Sequence, residues 1–469
     1  MSGLINNMAI QLSDHFGYRK LIRFTLPCMG MMIFSSIYSV IDGFFVSNYA
    51  GKTPFAALNL IFPFLMILST VGFMFGTGGS ALVGKTLGEG DHERANRYFS
   101  LFVYISFILG VILAAIAFIY IKDIAILLGA TGDLIDNCVL YARILLIALP
   151  FNILQFLFQS FAVTAERPEL GFRTTLASGI TNIVLDAILV VSLPQEYKLM
   201  GAAIATAMAQ TLGGIIPLIY FIRKNNSILR IGKTYFDGNA ILKATINGSS
   251  EFMSNISMNI VGILYNIQLI EYAGENGIAA YGVMMYVSFA FASTFIGYSI
   301  GTAPIISYHY GAKNHDELKN ILKKSLVMIG GLSIAMVGIG ELTAIPLSSI
   351  FVGYDPELLE LTVSGFRIFA LSFLFMGYAI CGSGFFTALN DGVTSAIISF
   401  LRTLVFQIAA VLILPMIWGI DGIWYSIVVA EMMAVIFSGL SVMAIMPYLY
   451  CPILMAISAL MFISFRKKK

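Results

Sequence analysis

Residues 21–47 read LIRFTLPCMGMMIFSSIYSVIDGFFVS. Beyond Arg23 this run holds one charge, Asp42, and one proline, Pro27. About 20 apolar residues carry a helix across the hydrocarbon core of a bilayer. There the backbone has no water to bond to and must satisfy its polar groups within the segment. A run of this kind is a membrane span, and it is the first of a series. Apolar stretches bounded by charge recur at 54–84, 98–121, 138–164, 171–193, 200–222, 244–272, 277–308, 322–345, 362–389, 393–416 and 422–446. Twelve spans need roughly 240 residues, so 469 residues hold them with short loops. The expected fold is an all-α integral membrane protein.

Composition points the same way. Hydrophobic residues make up 58% and charged residues 11%, against about 45–50% and roughly 25% in soluble domains. This excludes a soluble enzyme, a disordered chain and a nucleic-acid binder. A net charge of +2 is too small to call for a polyanionic partner. Cys28, Cys138, Cys381 and Cys451 are scattered, with no CxxC pair, and read as small apolar packers. The polar stretch from Met1 to Lys20 lacks the pattern of a cleaved signal peptide. The first span is expected to serve as the targeting signal and to stay in the product.

The chain divides into an N-lobe at 1–222, a basic linker at 223–243, a C-lobe at 244–446 and a tail at 447–469. Lys and Arg in alternate loops set the orientation. With the N-terminus inside, 22 fall on the inner side, the linker, Arg402 and the tail included, and 5 on the outer. The outer loops are acidic, with Asp133, Asp136, Glu275 and Asp355 among them. The tail from Tyr448 to Phe465 is apolar and ends in Arg466 and three lysines; a re-entrant or interfacial segment is expected.

The two halves resemble each other at an offset near 223. Tyr49-Ala50-Gly51 meets Tyr272-Ala273-Gly274, Gly78 meets Gly301, and Gly88-Glu-Gly-Asp-His92 meets Gly311-Ala-Lys-Asn-His315. Thr164-Ala165 meets Thr387-Ala388, and Gly201 meets Gly422. Six spans per repeat is an even number, so the halves face the same way, as in many secondary transporters.

One motif misleads. Gly79 to Thr86 matches GxxxxGK[ST], which cradles phosphate only between a strand and a helix. Here it closes an apolar span, and its glycines are expected to serve close helix contact. The four histidines, in or beside loops, show no metal-ligand spacing. No Ser/His/Asp set or HExxH appears, so no enzyme chemistry is indicated and no cofactor is expected.

Acids within spans are costly, by about 2.5–3.5 kcal/mol at the bilayer centre on insertion scales. Asp42 lies deep in the first span and Asp186 in the fifth, with Asn182 four residues earlier on the same face. Thr206 sits in a small-residue run of the sixth. These four form a candidate site for a proton or a small cation. Tying helices together is the plainer use of such groups, yet two acids in one half exceed what packing needs. The second half has Tyr265 and Ala409 at the corresponding places and carries Glu251, Asn255 and Asn259 at i, i+4, i+8, with Glu431 in its last span. Those four, with Gln155 and Gln159 of the fourth span, are candidates for a substrate cavity. Pro27 is a candidate hinge, because a proline within a helix removes a hydrogen bond.

Taken together, the 6 + 6 repeat, Pro27 with Asp42, the two cytoplasmic Gly-to-His loops, and Asn182 with Asp186 resemble the MATE family, the multidrug and toxic compound extrusion transporters. The branch it is most similar to is the DNA-damage-inducible F type and its Gram-positive multidrug relatives. The resemblance covers residues 15 to 446. It implies a V-shaped pair of six-helix lobes in the plasma membrane and export of cationic amphipathic compounds driven by Na⁺ or H⁺. It also implies a monomer whose partners are small molecules and membrane lipid, and a cation site on the residues matching Asp42, Asn182, Asp186 and Thr206. Many relatives have a proline near position 250, where Ser249-Ser250-Glu251 stands here. The acids that another branch uses in its C-lobe are therefore not carried over to Glu251. A lipid-linked oligosaccharide flippase of the same superfamily is the alternative. It calls for a more cationic cavity than Arg143 and Arg367, near the outer surface, supply.

Overall fold

A computed structural model of the chain describes residues 10–445; the tail from Pro447 onward lies outside them. Among the described residues helix is the only regular structure. The first span, Tyr18–Phe45, runs straight into a π-helical turn, Val46–Ala50. Lys52–Gly88, His92–Leu127, Asp133–Thr164, Pro168–Ser192 and Lys198–Ile222 follow as spans two to six.

The next helical stretch, Gly238–Gly311, is 74 residues long. At about 1.5 Å per residue it would run roughly 110 Å, several times the thickness of a hydrocarbon core. It is two spans, broken at Gly274, whose φ of 60° and ψ of −148° suit only a residue without a Cβ. The ninth span is His315–Val352. The tenth consists of Pro356–Ala370 and Phe373–Ala388, bent by 48° at a break over residues 371–372. The eleventh runs from Gly392 through a second π turn, Leu401–Val405, and is closed by Pro415–Trp418. The twelfth is Ile420–Ile445. All twelve expected spans are present.

The repeat is written in the backbone as well as in the side chains. Six of the nine described residues with positive φ fall in matching pairs: Gly51 with Gly274, Gly90 with Lys313, and Glu166 with Asn390. Each pair marks the same helix-ending turn in the two halves. The spans that close the glycine loops also meet reciprocally. A Cβ on Gly88 would strike the Tyr308 carbonyl, and a Cβ on Gly311 would strike the Lys85 carbonyl. Tyr308 is the repeat equivalent of Lys85, so one contact is made twice.

By contacts the chain forms two compact units. One holds the residues up to Gly248 with Ile300–Asn314 and Ala388–Asn390; the other holds Ser249–Ser299, His315–Thr387 and the residues from Asp391 on. In the first unit the fourth span is the central helix. In its most apolar stretch 78% of residues are buried, against 33% for the third span. One end of this unit is cemented by Phe75, Phe99, Phe102, Phe158, Phe161 and Phe221, and the other by smaller residues around Ile61, Tyr141, Leu145 and Val190. The second unit closes around Phe295, Phe366, Phe369, Phe373 and Trp424.

The stretch from Gly79 to Thr86 lies wholly inside the second span. Gly79 lies against the Phe102 ring and Gly84 against Ser307, while Lys85 sits over the Tyr310 ring at 5.5 Å. These glycines serve helix contact, and no phosphate loop exists there.

Candidate functional site

Asp42 lies one turn before the π turn Val46–Ala50. π turns inside helices occur often at functional sites, where they re-aim the backbone. Asn182 and Asp186 stand one turn apart on the fifth span and are buried, Asp186 completely. The sixth span is rich in small residues, Ala202, Ala203, Ala205 and Ala209 among its buried positions. They let that helix approach closely and bring Thr206 to the same place. Thr206 donates its hydroxyl to Asp42 Oδ1 at 3.3 Å, and Asn182 donates its amide to Thr206 Oγ1 at 3.4 Å. Asp186 comes within hydrogen-bonding reach of Asp42. Four residues from three spans thus form one cluster.

The electrostatics of this cluster are one-sided. Neither oxygen of Asp186 meets a donor, and Asn182 Oδ1 meets none. No cation is among the groups that act on either carboxyl. Two adjacent carboxylates without a counter-charge do not both stay ionised. A proton shared between them would complete the cluster. So would a small hard cation held by the oxygens of Asp42, Asp186, Asn182 and Thr206. Among the described residues no three His, Cys, Asp or Glu side chains gather as a metal ligand set.

Two tyrosines were missed from the sequence. Tyr141, fully buried on the fourth span, places its hydroxyl beside Thr206 and within the field of Asp42 and Asp186. Tyr38 stands one turn before Asp42 and within reach of both Asp42 and Gln155. The i−4 spacing from Asp42 was the signal available for Tyr38; for Tyr141 there was none, since its approach depends on tertiary packing.

Gln155 and Gln159 face the interior of this same unit, each only 4% exposed. Gln155 Oε1, both amide atoms of Gln159 and Thr174 Oγ1 lack partners, and the three side chains line one small cavity with Gly213 and Pro217. Its volume of about 10 Å³ is room for one water. Pro27 lies inside a helix that continues on both sides of it.

The second unit is built differently. Arg402, on the π turn of the eleventh span, grips Glu431 by three hydrogen bonds of 2.9, 2.9 and 3.1 Å. Glu431 is therefore engaged by a guanidinium. Arg402 lies within the span, so it leaves the count of loop cations. Glu251, half-buried, lies within the field of Arg402. Asn255 donates its amide to the Glu251 backbone carbonyl at 2.9 Å; the side chain of Asn259 lies outside what the structure describes. At the repeat position of Asp42, Tyr265 donates to Gln407 Oε1 at 3.1 Å. The second half thus makes its version of this helix contact with a neutral, satisfied hydrogen bond.

These features define a class: a multi-pass helical membrane protein of the duplicated, secondary-transporter architecture, with a pair of acids enclosed in its first bundle. The MatE family model matches residues 27–188 and again residues 252–413, once in each half, and the chain belongs to that family. It is 26% identical over 415 residues to the multidrug export protein MepA of Staphylococcus haemolyticus (strain JCSC1435), covering 88% of this chain and 90% of that one. In fold it is similar to a MATE protein crystallised in complex with MaL6, at a TM-score of 0.88 and 23% identity over 94% of this chain and 99% of that one. A MOP superfamily transporter from Pyrococcus furiosus Vc1 (DSM3638) superposes with a TM-score of 0.86 at 23% identity, covering 94% of this chain and 98% of that one.

Proposed function

We propose that this protein exports cationic amphipathic small molecules across the plasma membrane in exchange for Na⁺ or H⁺, with Asp42 and Asp186 as the coupling acids. One observation carries this reading: Asp186 is fully buried beside Asp42, and both of its oxygens lack a donor. The second half supports it, because Tyr265 and Gln407 join the corresponding helices without any charge. The acids of the first half are not needed to hold the bundle together. Export of drugs is what the MepA relative is named for.

A proton or Na⁺ entering from outside neutralises the acid pair. A cationic cargo then loses the charge that held it, and the bundle closes around a neutral cluster. Occupancy by cation and by cargo bias one two-state equilibrium in opposite directions. Pro27 and the π turn after Asp42 are the two places where the first span is free to change its angle. The protein acts as a monomer, with its N-terminus and linker in the cytoplasm, and catalyses no covalent chemistry.

The same fold does not fix the cargo. The Pyrococcus furiosus neighbour is described as having a binding pocket of reverse polarity that suggests a different function. Here the acids Asp42 and Asp186 of the first unit have no cation acting on them, a charge suited to cations.

The test is efflux of a cationic dye from proteoliposomes under an imposed Na⁺ gradient or an imposed pH gradient, each alone. One gradient is expected to drive uphill efflux, and Asp186→Asn to abolish it. Efflux of the same rate with Asn at both 42 and 186 would sink the proposal.

A further inference from the structure

We propose that the pocket between the linker and the start of the third span is a headgroup site for an anionic phospholipid. None of its residues belongs to the candidate cation site. The cavity measures about 320 Å³ and is lined by Arg97, Arg230 and Lys233, together with Ser100 and Thr234. Glu93 is the one acid in the lining, and it is already engaged by Arg97 at 3.1 Å. The lining therefore keeps a net positive charge, the complement of a phosphate group.

The pocket is built by hydrogen bonds that use the linker's polar backbone edge. The Arg230 amide donates to Asn96 Oδ1 at 2.6 Å, the Gly232 amide donates to Ser100 Oγ at 2.9 Å, and the Thr234 hydroxyl donates to the Arg97 carbonyl at 2.9 Å. The linker is thereby pinned along the helix; Arg230 and Lys233 line the cavity, Arg230 with one Nη donating to the Asn225 carbonyl at 2.8 Å. Arg97 Nε is buried without a partner, and its guanidinium lies over the Tyr235 ring at 5.6 Å. Lys233 makes no ion pair among the described residues.

The surroundings identify the source of the phosphate as a lipid. Tyr104, Ile108, Val111, Ile112 and Ile119 of the third span are all exposed. Their spacing puts them on the same helix face as Arg97 and Ser100. They form an apolar stripe that leads away from the pocket toward the membrane interior. Beside the pocket, Tyr235 and Phe236 are 55% and 80% exposed, as befits aromatic residues at a membrane interface. A phosphate seated on Arg97, Arg230 and Lys233 would lay its acyl chains along that stripe.

The experiment is a titration of the purified full-length protein in detergent with dioleoyl phosphatidylglycerol, followed by native mass spectrometry. Dioleoyl phosphatidylcholine and inorganic phosphate are run in parallel. The expected result is preferential retention of phosphatidylglycerol, weakened about tenfold by Lys233→Gln. That variant removes a side chain which holds nothing in the fold, so its melting temperature stays that of the wild type. Lys323→Gln, the same change at an exposed position on the ninth span, keeps full binding. Equal retention of the two lipids, equal loss in both variants, or full displacement by millimolar inorganic phosphate would overturn the proposal.

Discussion

Asp42 and Asp186 differ in how they are held. Asp42 accepts a hydrogen bond from Thr206, whereas Asp186 relies on whatever enters between the two acids. Replacing Asp186 by Asn keeps the shape and removes the need for a proton or cation. Its expected outcome is a bundle at least as stable as the wild type in a thermal melt, with gradient-driven efflux reduced by a factor of ten or more. A packing role for Asp186 would give the reverse: lower stability and retained efflux. Tyr141→Phe removes a hydroxyl beside the cluster without leaving a cavity. It is expected to shift the pH or Na⁺ dependence of transport while leaving the melting temperature unchanged. Glu166 gives a second residue-level test, away from the membrane interior. It ends the fourth span at a φ of 61° and accepts the Leu12 amide at 2.7 Å, which ties the N-terminal segment down. Burial pushes its carboxyl above the ordinary 4.5. The folded state therefore binds this proton more tightly than the unfolded state does. The resulting stability is full below pH 4.5 and is lost as pH rises through the folded value. Glu166→Gln keeps the acceptor and lacks the charge. Relative to the wild type it is expected to gain melting temperature as the buffer moves from pH 4.5 to pH 7, and a constant difference across that range would show that the carboxyl is not the cause.

At the level of elements, the spans were legible because a hydrocarbon core admits few solutions: long, apolar and internally hydrogen-bonded. The breaks within them were not. The bend in the tenth span falls at Leu371 and Ser372, with no proline or glycine to announce it. The π turns at Val46–Ala50 and Leu401–Val405 carry no marker residue either. Both lie beside charged groups within the membrane, Asp42 in one case and Arg402 in the other. The pairing of Arg402 with Glu431 was equally hidden, because it joins two spans 29 residues apart through a turn whose geometry depends on that same contact. It is a buried ion pair, with side chains 15% and 3% exposed. Removing one partner of such a pair costs about 3–5 kcal/mol, while replacing both with apolar residues of similar size is often neutral or better. Glu431→Ala is thus expected to lower the melting temperature sharply. The double change Arg402→Met with Glu431→Leu should recover most of the loss. Equal losses in the single and double variants would mean that the pair itself, and not the unpaired charge, sets stability. Gly274 supports a parallel argument. Its φ and ψ are open only to glycine, and strain of that kind costs about 1–3 kcal/mol, so Gly274→Ala should destabilise by that amount while Gly262→Ala, with open space around it, should not.

The duplication was visible from side chains alone, and the family model's two matches, at 27–188 and 252–413, lie where the alignment of the halves puts them. The candidate acids were visible too, since a charge inside an apolar run stands out. Their convergence was not, because which faces of spans one, five and six meet is set by the small residues of the sixth span and by the bulk of the fourth. What the whole molecule adds is orientation. The ion gradient sets the direction of exchange, and what remains to be chosen is which face meets the cytoplasm. Loop and tail cations bear on that choice: with Arg402 removed to the interior, 21 of the 22 inner positions remain against 5 on the other side. By the positive-inside bias the linker is expected on the cytoplasmic side. The expectation can be checked with single cysteines at Lys233 in the linker and at Thr131 between the third and fourth spans. Cys381 and Cys451 are replaced by alanine in that background, and the buried Cys28 and Cys138 are kept. A membrane-impermeant maleimide should label position 131 in intact cells and position 233 only in inverted vesicles. The opposite pattern would overturn that orientation, while the direction of exchange would still follow the cation gradient imposed across the membrane.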